Sequence, residues 1–141
     1  MITSFFGEYR FLSNFYPCEV FLDGMLFKSV EHAYVAAKTE DLMLRSIIQN
    51  IQTPSQAKHY GRTVRLRKDW EEVKLPIMRN LLEQKFQNPE LKQLLQKTKP
   101  MQLIEGNSWG DKFWGQCPLG DGKNHLGKML MEIRDNIFEI S

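Results

Sequence analysis

Two hydrophobic periods alternate along the chain and predict different elements. Two short segments, 18–22 and 25–28, are rich in β-forming residues and flank Asp23-Gly24, which is typical of a hairpin turn. Segments 2–6 and 101–105 have a similar strand-like composition. From residue 29 onward apolar residues recur every three or four positions, which predicts helices. The pattern therefore predicts a mostly helical chain with a small β-sheet.

Five polar residues are predicted to begin helices as N-caps, where a short side chain accepts a hydrogen bond from the first turn. They are Ser29, Thr53, Asp69, Asn88 and Asn124. The predicted helices begin at residue 30, cover 41–51, 54–61, 70–87 and 89–97, and resume after residue 124 with an apolar stripe of Leu126, Leu130, Ile133 and Ile137. Proline at position 76 is expected to bend or interrupt the fourth helix.

The helix that follows Ser29 carries ionisable groups among small and apolar ones. Its buried stripe is predicted to be Val30, Ala33, Tyr34 and Ala37. Glu31, Val35 and Lys38 then share an adjoining face, with the carboxylate and the amine roughly 10 Å apart along the axis. This face is either one wall of a cavity or an ordinary solvated surface, because the helix dipole alone favours an acid in the first turn.

Length and composition are those of one globular domain. The chain has 141 residues, of which 42% are apolar and 26% are charged, and these values predict a single α+β domain over 1–141. The net charge of +2 is too small to indicate a polyanionic partner. Cys18 and Cys117 are far apart and outside any metal-ligand spacing, so both are expected to be reduced thiols. Without a membrane span or an export signal, we expect a cytoplasmic protein with no membrane partner.

Common cofactor and metal motifs are missing from the sequence. The glycines of segment 120–127 match neither a dinucleotide fingerprint nor a P-loop, and the three histidines lack zinc-site spacing. We therefore expect no cofactor and no metal. A dense basic run lies in segment 62–68, where Arg62, Arg65, Arg67 and Lys68 are expected either to contact phosphate or to form a solvated face.

Several separated stretches together resemble the NADAR family, also called YbiA-like. They are Phe11–Pro17, Ser29–His32 with Ala36 and Lys38, Gly61-Arg62, Leu66–Glu71, Asp111–Gly115 and Gly122–Gly127. The resemblance covers nearly the whole chain. It implies a mostly helical α+β domain that hydrolyses N-glycosidic bonds to a ribose without a metal. The implied substrates are phosphoribosylamino-pyrimidine intermediates of riboflavin synthesis, or ADP-ribosylated guanine in nucleic acid.

The resemblance also assigns roles to individual residues. The family's carboxylates fall on Glu31 and Asp111, and its tryptophans on Trp70 and Trp114. Further substrate contacts are expected from Asn14, Lys38, Arg62, Arg67 and Asn124. The chain departs from the family at position 35, where Val replaces a frequent Gln, and at position 125, where His stands in place of an Arg found in a relative. A change at position 35 is expected to alter substrate contacts on the Glu31 face.

Breaking a ribose C1–N bond places positive charge on the sugar and negative charge on the departing base. Glu31 is therefore expected to activate water or stabilise the oxocarbenium, while Asp111 holds or protonates the substrate, or the two roles are exchanged. Lys38 is expected to contact a phosphate or hydroxyl, or to form a Schiff base with an opened ribose. The tryptophans either stack on the base or belong to the core.

Two other classes of function also fit the sequence. A binding module would hold ADP-ribose or a related nucleotide without turnover. A nucleic-acid-binding protein would use the basic 62–68 run, and its affinity would fall steeply with salt. Two carboxylates facing an anionic ligand fit the enzyme best.

Overall fold

The computed structural model describes the backbone of residues 1–140 and the side chains of residues 1–137. Within this range the chain is mostly helical with a two-stranded antiparallel sheet, which confirms the predicted α+β class. The elements are a 3₁₀ helix (Gly7–Leu12), β1 (Val20–Leu22), β2 (Met25–Phe27), α1 (Val30–Ala37), α2 (Leu42–Gln49), α3 (Pro54–Gly61), α4 (Trp70–Lys85), α5 (Pro89–Gln96) and α6 (His125–Ile140). None of the helices is long and apolar enough to cross a membrane over the part of the chain described.

The chain divides into two compact units. The central unit is Asn14–Lys85, and the terminal unit combines Met1–Ser13 with Phe86–Ser141. The central unit holds the hairpin and α1 to α4, whereas the terminal unit holds the 3₁₀ helix, α5 and α6. The expectation of one domain over 1–141 stays a prediction.

The hairpin forms where the sequence predicts it. Val20 pairs with Phe27, and Leu22 pairs with Met25. Asp23 and Gly24 have φ values of 48° and 83°, and positive φ at both turn positions is the requirement of a type I′ hairpin turn. The predicted strands are shortened to three residues each.

Glutamine side chains cover the outer backbone groups of the hairpin. Gln84 Oε1 accepts a hydrogen bond from the Phe21 N–H at 2.7 Å, and its Nε2 donates to the Phe21 carbonyl at 2.9 Å. On the other strand, Gln49 Nε2 donates to the Leu26 carbonyl at 2.9 Å. These amides satisfy backbone groups that the short hairpin leaves unpaired.

Helix α1 is the centre of the central unit, because it packs against α2, α3, α4 and both strands. Ser29 caps it as predicted, with its Oγ accepting from the His32 N–H at 3.1 Å. Every residue of α1 except Glu31 is buried. Of the three residues predicted to share the adjoining face, Val35 is 1% exposed and packs against Gly61 of α3, so this face is not a solvated surface at Val35.

The remaining caps divide into two groups. Thr53 forms a complete capping box with Gln56, and the Asn88 side chain accepts from two N–H groups of α5, so both predictions are confirmed. Asp69 and Asn124 contribute backbone carbonyls to α4 and α6, but their side chains bind other groups. Helix α4 ends at Lys85 and continues through Pro76, so of the two effects predicted for this proline, a bend or an interruption, the interruption does not occur.

The strands predicted at 2–6 and 101–105 do not form in the described chain. A single parallel bridge joins Ile2 to Leu103. Pairing stops there because the Gly106 N–H donates to the Ile104 carbonyl at 2.9 Å, which turns the chain. The predicted core stripe of α6 is confirmed, since Leu126, Leu130, Ile133 and Ile137 are all buried.

Candidate active site

Glu31 is the one partly exposed residue of the otherwise buried helix α1. Its backbone N–H donates to the Asn14 carbonyl at 3.1 Å. The first N–H groups of a helix have no partner within the helix, so this bond satisfies one of them and joins the preceding loop to the first turn. The backbone that carries the Glu31 carboxylate is therefore fixed by a hydrogen bond to the preceding loop.

Asn14 itself has an unsatisfied acceptor. Its Nδ2 donates to the Met78 sulfur at 3.6 Å, while its Oδ1 is buried and has no hydrogen-bond partner within residues 1–137. A buried acceptor without a donor costs about 1–3 kcal/mol. The Oδ1 atom is therefore suited to a hydroxyl or amine of a bound ligand.

Lys38 directly follows α1 and is half-buried. Its Nζ lies 5.9 Å from the centre of the Tyr34 ring. Burial lowers the pKa of Lys38, the charge of Glu31 opposes that change, and the charges of Lys58 and Arg62 add to it. The Lys38 ammonium therefore lies within electrostatic range of the Glu31 carboxylate.

Trp70 belongs to the core of the central unit. It is 5% exposed, and its ring lies 5.2 Å from that of Tyr34 with planes tilted by 55°. Tyr34 thus contacts both Trp70 and Lys38. Tyr34 lies in the predicted core stripe, but its contact with Lys38 was not predicted, although the spacing of four residues between them indicates it.

Gly61 allows α3 to approach α1 closely. A Cβ atom at this position would lie 3.0 Å from both γ-methyl groups of Val35 and 3.5 Å from Lys38 Nζ. Because Gly61 has no side chain, α3 packs closely against the end of α1, where Val35 and Lys38 lie.

The residues of the basic run at 62–68 differ in whether they bind a carboxylate. Arg67 Nε and Nη2 donate to the two carboxylate oxygens of Asp69 at 2.6 and 3.1 Å, and Nη2 lies 3.8 Å from Glu40. The hydrogen bond from Arg67 lowers the pKa of Asp69 and raises that of Arg67. Arg62, Arg65 and Lys68 are exposed. Arg67 is already engaged with carboxylates, which makes Arg62 the better placed of the two predicted arginine contacts.

Asp111 lies in the long loop of the terminal unit. Its Oδ1 accepts hydrogen bonds from the backbone N–H groups of Phe113 and Trp114 at 3.1 and 2.9 Å. The Asn107 side chain binds both the N–H and the carbonyl of Asp111, each at 2.9 Å. One carboxylate oxygen of Asp111 therefore shapes the loop, a role that does not follow from the sequence motif.

The other two predicted residues of the terminal unit differ in exposure. Trp114 is half-buried, and its ring meets the Phe113 ring edge-on at 4.8 Å. Asn124 is buried, with Nδ2 donating to the Leu103 carbonyl and Oδ1 accepting from the Glu105 N–H, both at 3.0 Å. The Asn124 side chain therefore connects segment 103–105 to the start of α6.

His32 is buried and acts within the fold. Its Nε2 donates to the Ile51 carbonyl at 2.9 Å, so Nδ1, 2.7 Å from the Ser29 Oγ, accepts from that hydroxyl. Burial also lowers the pKa of His32, which keeps the ring neutral. Cys18 and Cys117 are free thiols, as predicted. Among the described residues, no cluster of three or more His, Cys, Asp or Glu side chains is suited to a metal ion.

The predicted residues thus fall into two sets. The central unit contains Asn14, Glu31, Lys38, Arg62, Arg67 and Trp70. The terminal unit contains Asp111, Trp114 and Asn124. Within the central unit, hydrogen bonds, ring contacts and charge interactions connect all six residues to α1 or to its flanking segments.

Comparison with known proteins gives consistent matches over most of the sequence. The model of the NADAR domain family matches residues 4–138. The N-glycosidase YbiA of Escherichia coli is 38% identical over 92% of this chain and 82% of its own length. An N-glycosidase of Nostoc punctiforme is also 38% identical, over 92% and 86%. A riboflavin biosynthesis protein of Vibrio vulnificus is 36% identical over 94% of this chain, which spans 36% of that longer protein.

A solved structure agrees with these sequence matches. The NMR structure of E. coli YbiA matches with a TM-score of 0.86 and 37% identity, over 99% of this chain and 84% of that one.

Proposed function

Because this chain belongs to the NADAR family, we propose that it is an N-glycosidase, a hydrolase that cleaves the bond between a ribose and a nitrogenous base. The preferred substrate class is a phosphoribosylamino-pyrimidine of the riboflavin pathway, which the name of the Vibrio vulnificus relative supports. ADP-ribosylated guanine in nucleic acid is the second substrate class. The proposed reaction uses water and no metal or cofactor.

The observation that carries this proposal is the partial exposure of Glu31 on an otherwise buried helix. Helix α1 buries every side chain except this carboxylate, and Lys38 interacts with it electrostatically. Departure of a base leaves positive charge at the ribose C1, which a nearby carboxylate stabilises. Glu31 is therefore assigned to the sugar, either stabilising the oxocarbenium or activating the water that attacks it.

Asn14 is assigned to a ribose hydroxyl. Its buried Oδ1 accepts no hydrogen bond from residues 1–137, and its backbone carbonyl is tied to the first turn that carries Glu31. A hydroxyl donor of the sugar would satisfy this atom and orient C1 toward the carboxylate. Lys38 is assigned a positive charge beside the same ligand.

Borohydride trapping tests whether Lys38 also acts covalently. A trapped protein adduct would indicate a Schiff base, and the absence of an adduct would indicate an electrostatic role.

The remaining residues receive narrower roles. Trp70 supports Tyr34 and Lys38 from the core, since its ring is nearly inaccessible. Trp114 is the better candidate for stacking on a base, because its ring is more exposed. The catalytic role of Asp111, and substrate contacts by Arg67 and Asn124, rest on the family resemblance alone.

The direct test is to incubate the protein, with and without a chelator, with a phosphoribosylamino-pyrimidine and separately with DNA that carries ADP-ribosylated guanine. Mass spectrometry should detect the released base or ADP-ribose, and the chelator should leave the rate unchanged. Binding of either compound without product would establish a binding module instead. Salt-sensitive binding of unmodified DNA without product would establish a nucleic-acid-binding protein.

A further inference from the structure

Lys58, a residue outside the dense basic run, lies in α3, and Arg62 is the helical C-cap residue that directly follows α3. The two are four residues apart, so their side chains are neighbours on the helix surface. Like charges at this spacing destabilise a helix slightly, and a bound anion removes that cost. The charges of both residues act on Lys38, which extends from the end of α1.

Arg62, like Arg65, differs from the three other arginines of the central unit, which form ion pairs with carboxylates. Arg45 binds Asp23, Arg67 binds Asp69, and Arg79 lies within 3.6 Å of Glu83. Arg62 is exposed and forms no ion pair with a carboxylate within residues 1–137. Its planar guanidinium therefore keeps its capacity for bidentate binding of an oxyanion.

Lys58 is held near the loop that leads to Glu31. Its Nζ lies 5.9 Å from the centre of the Phe15 ring, and Phe15 follows Asn14, whose carbonyl binds the Glu31 N–H. This cation–π contact keeps the Lys58 ammonium beside the loop that contains Asn14 and Phe15. Lys38 is the common neighbour of these groups: Glu31, Lys58 and Arg62 all act on its charge, and a Cβ at Gly61, the residue before Arg62, would lie 3.5 Å from its Nζ.

We propose that Lys58 and Arg62, together with Lys38, form a subsite for the phosphate ester on the ribose of the substrate. The inference rests on the proposed function, because Glu31 defines the position of the sugar. The ribose carries the phosphate ester at one end and the base at C1. The phosphate would then lie beside Lys58 and Arg62, and C1 would lie beside Glu31 of α1. The same chemistry fits ribose 5-phosphate and the ribose-linked phosphate of ADP-ribose.

The first experiment measures binding without turnover. Ribose 5-phosphate and ADP-ribose are titrated calorimetrically into the full-length protein and into Lys58→Met, Arg62→Met and the control Arg65→Met, which changes an exposed arginine of the same basic run. We expect at least a tenfold loss of affinity in the first two variants and less than a twofold change in the control. Equal weakening in all three variants would overturn the subsite. The tighter of the two ligands in the unaltered protein identifies the source of the phosphate.

The second experiment measures turnover of a phosphorylated riboside and of its dephosphorylated counterpart. Lys58→Met should raise KM for the phosphorylated compound at least tenfold and leave kcat/KM for the other within twofold. Equal effects on the two compounds would overturn the subsite but leave the proposed hydrolysis standing. Binding of ribose 5-phosphate that depends on Lys58, with no hydrolysis of either compound, would support the subsite and refute the proposed function.

Discussion

The backbone N–H of Glu31 donates a hydrogen bond to the carbonyl oxygen of Asn14 at 3.1 Å. This bond joins the first turn of α1 to the loop that contains Asn14. The side-chain Oδ1 of Asn14 is buried and accepts no hydrogen bond within residues 1–137. The relationship connects two residues that the family resemblance singles out separately. It also means that a change to the Glu31 side chain leaves the bond in place, because the bond is made by backbone atoms.

Glu31→Gln should therefore strongly reduce the rate of hydrolysis without unfolding the protein. Removing the charge while keeping the shape should lower kcat by at least about 100-fold, since a carboxylate that stabilises developing charge contributes this much or more. The measurement is product release by mass spectrometry together with thermal unfolding. Glu72→Gln, an exposed change in the first turn of α4, is the matched control and should retain full activity. Full activity in Glu31→Gln would remove Glu31 from the mechanism.

Asp111 can be tested by separating its charge from its hydrogen bonds. Asp111→Asn keeps an acceptor for the N–H groups of Phe113 and Trp114, whereas Asp111→Ala removes it. The alanine variant should lose about 1–3 kcal/mol of unfolding free energy, and the asparagine variant should lose less. Activity is then decisive. If Asp111→Asn is stable but inactive, the carboxylate is catalytic, and if it is stable and active, its function is to shape the loop.

Gly61→Ala should disturb the contact between α3 and α1. The new Cβ would lie 3.0 Å from the Val35 methyl groups, so we expect a loss of about 1–3 kcal/mol of stability and a weaker substrate affinity through displacement of Lys38. Val35→Ala alone should also destabilise the protein, because it leaves a cavity. In the double variant the two losses of stability should be less than additive. Removing the Val35 methyl groups makes room for the Cβ that Gly61→Ala adds. Strict additivity in urea unfolding would contradict this contact.

Lys85 predicts a specific dependence of stability on pH. Burial lowers the pKa of Lys85 to about 7, and the adjacent Cys18 opposes that change, while burial raises the pKa of the Cys18 thiol. Above pH 7 the unfolded chain therefore binds more protons at Lys85 than the folded one, so the free energy of unfolding should rise with pH. Between pH 7 and 8 the slope from this group should approach about 1.4 kcal/mol per pH unit.

The comparison that isolates this effect is Lys85→Met against Lys68→Met, which removes an exposed lysine of the same unit. Urea unfolding between pH 7 and 8 should show a shallower rise for Lys85→Met than for the unaltered protein. The Lys68→Met curve should run parallel to that of the unaltered protein. Parallel curves for all three proteins would show that Lys85 does not titrate in this range.

Local signals in the sequence predict the elements well, because they depend on neighbouring residues. The Asp23-Gly24 turn and the Ser29, Thr53 and Asn88 caps are all confirmed. Asn124 shows the limit of such signals. Its side chain has the chemistry of a cap, but bonds to Leu103 and Glu105, both distant in sequence, are formed instead.

The site shows the same limit. Helical spacing places Glu31, Val35 and Lys38 on one side of α1, but it does not reveal how many elements surround the helix. Because α3 covers Val35, only Glu31 and Lys38 remain partly accessible. Val35 packs against Gly61 instead of facing solvent, and the expectation that the replacement of Gln by Val at this position alters substrate contacts stays a prediction.

The glutamine amides on the hairpin also bear on how this protein meets other chains. Short exposed strands are natural templates for an added strand from a neighbouring molecule. Here a foreign strand at Phe21 would have to displace both bonds from Gln84, and one at Leu26 would have to displace the bond from Gln49. Phe21 can therefore remain 54% exposed at the surface while its backbone resists intermolecular sheet growth.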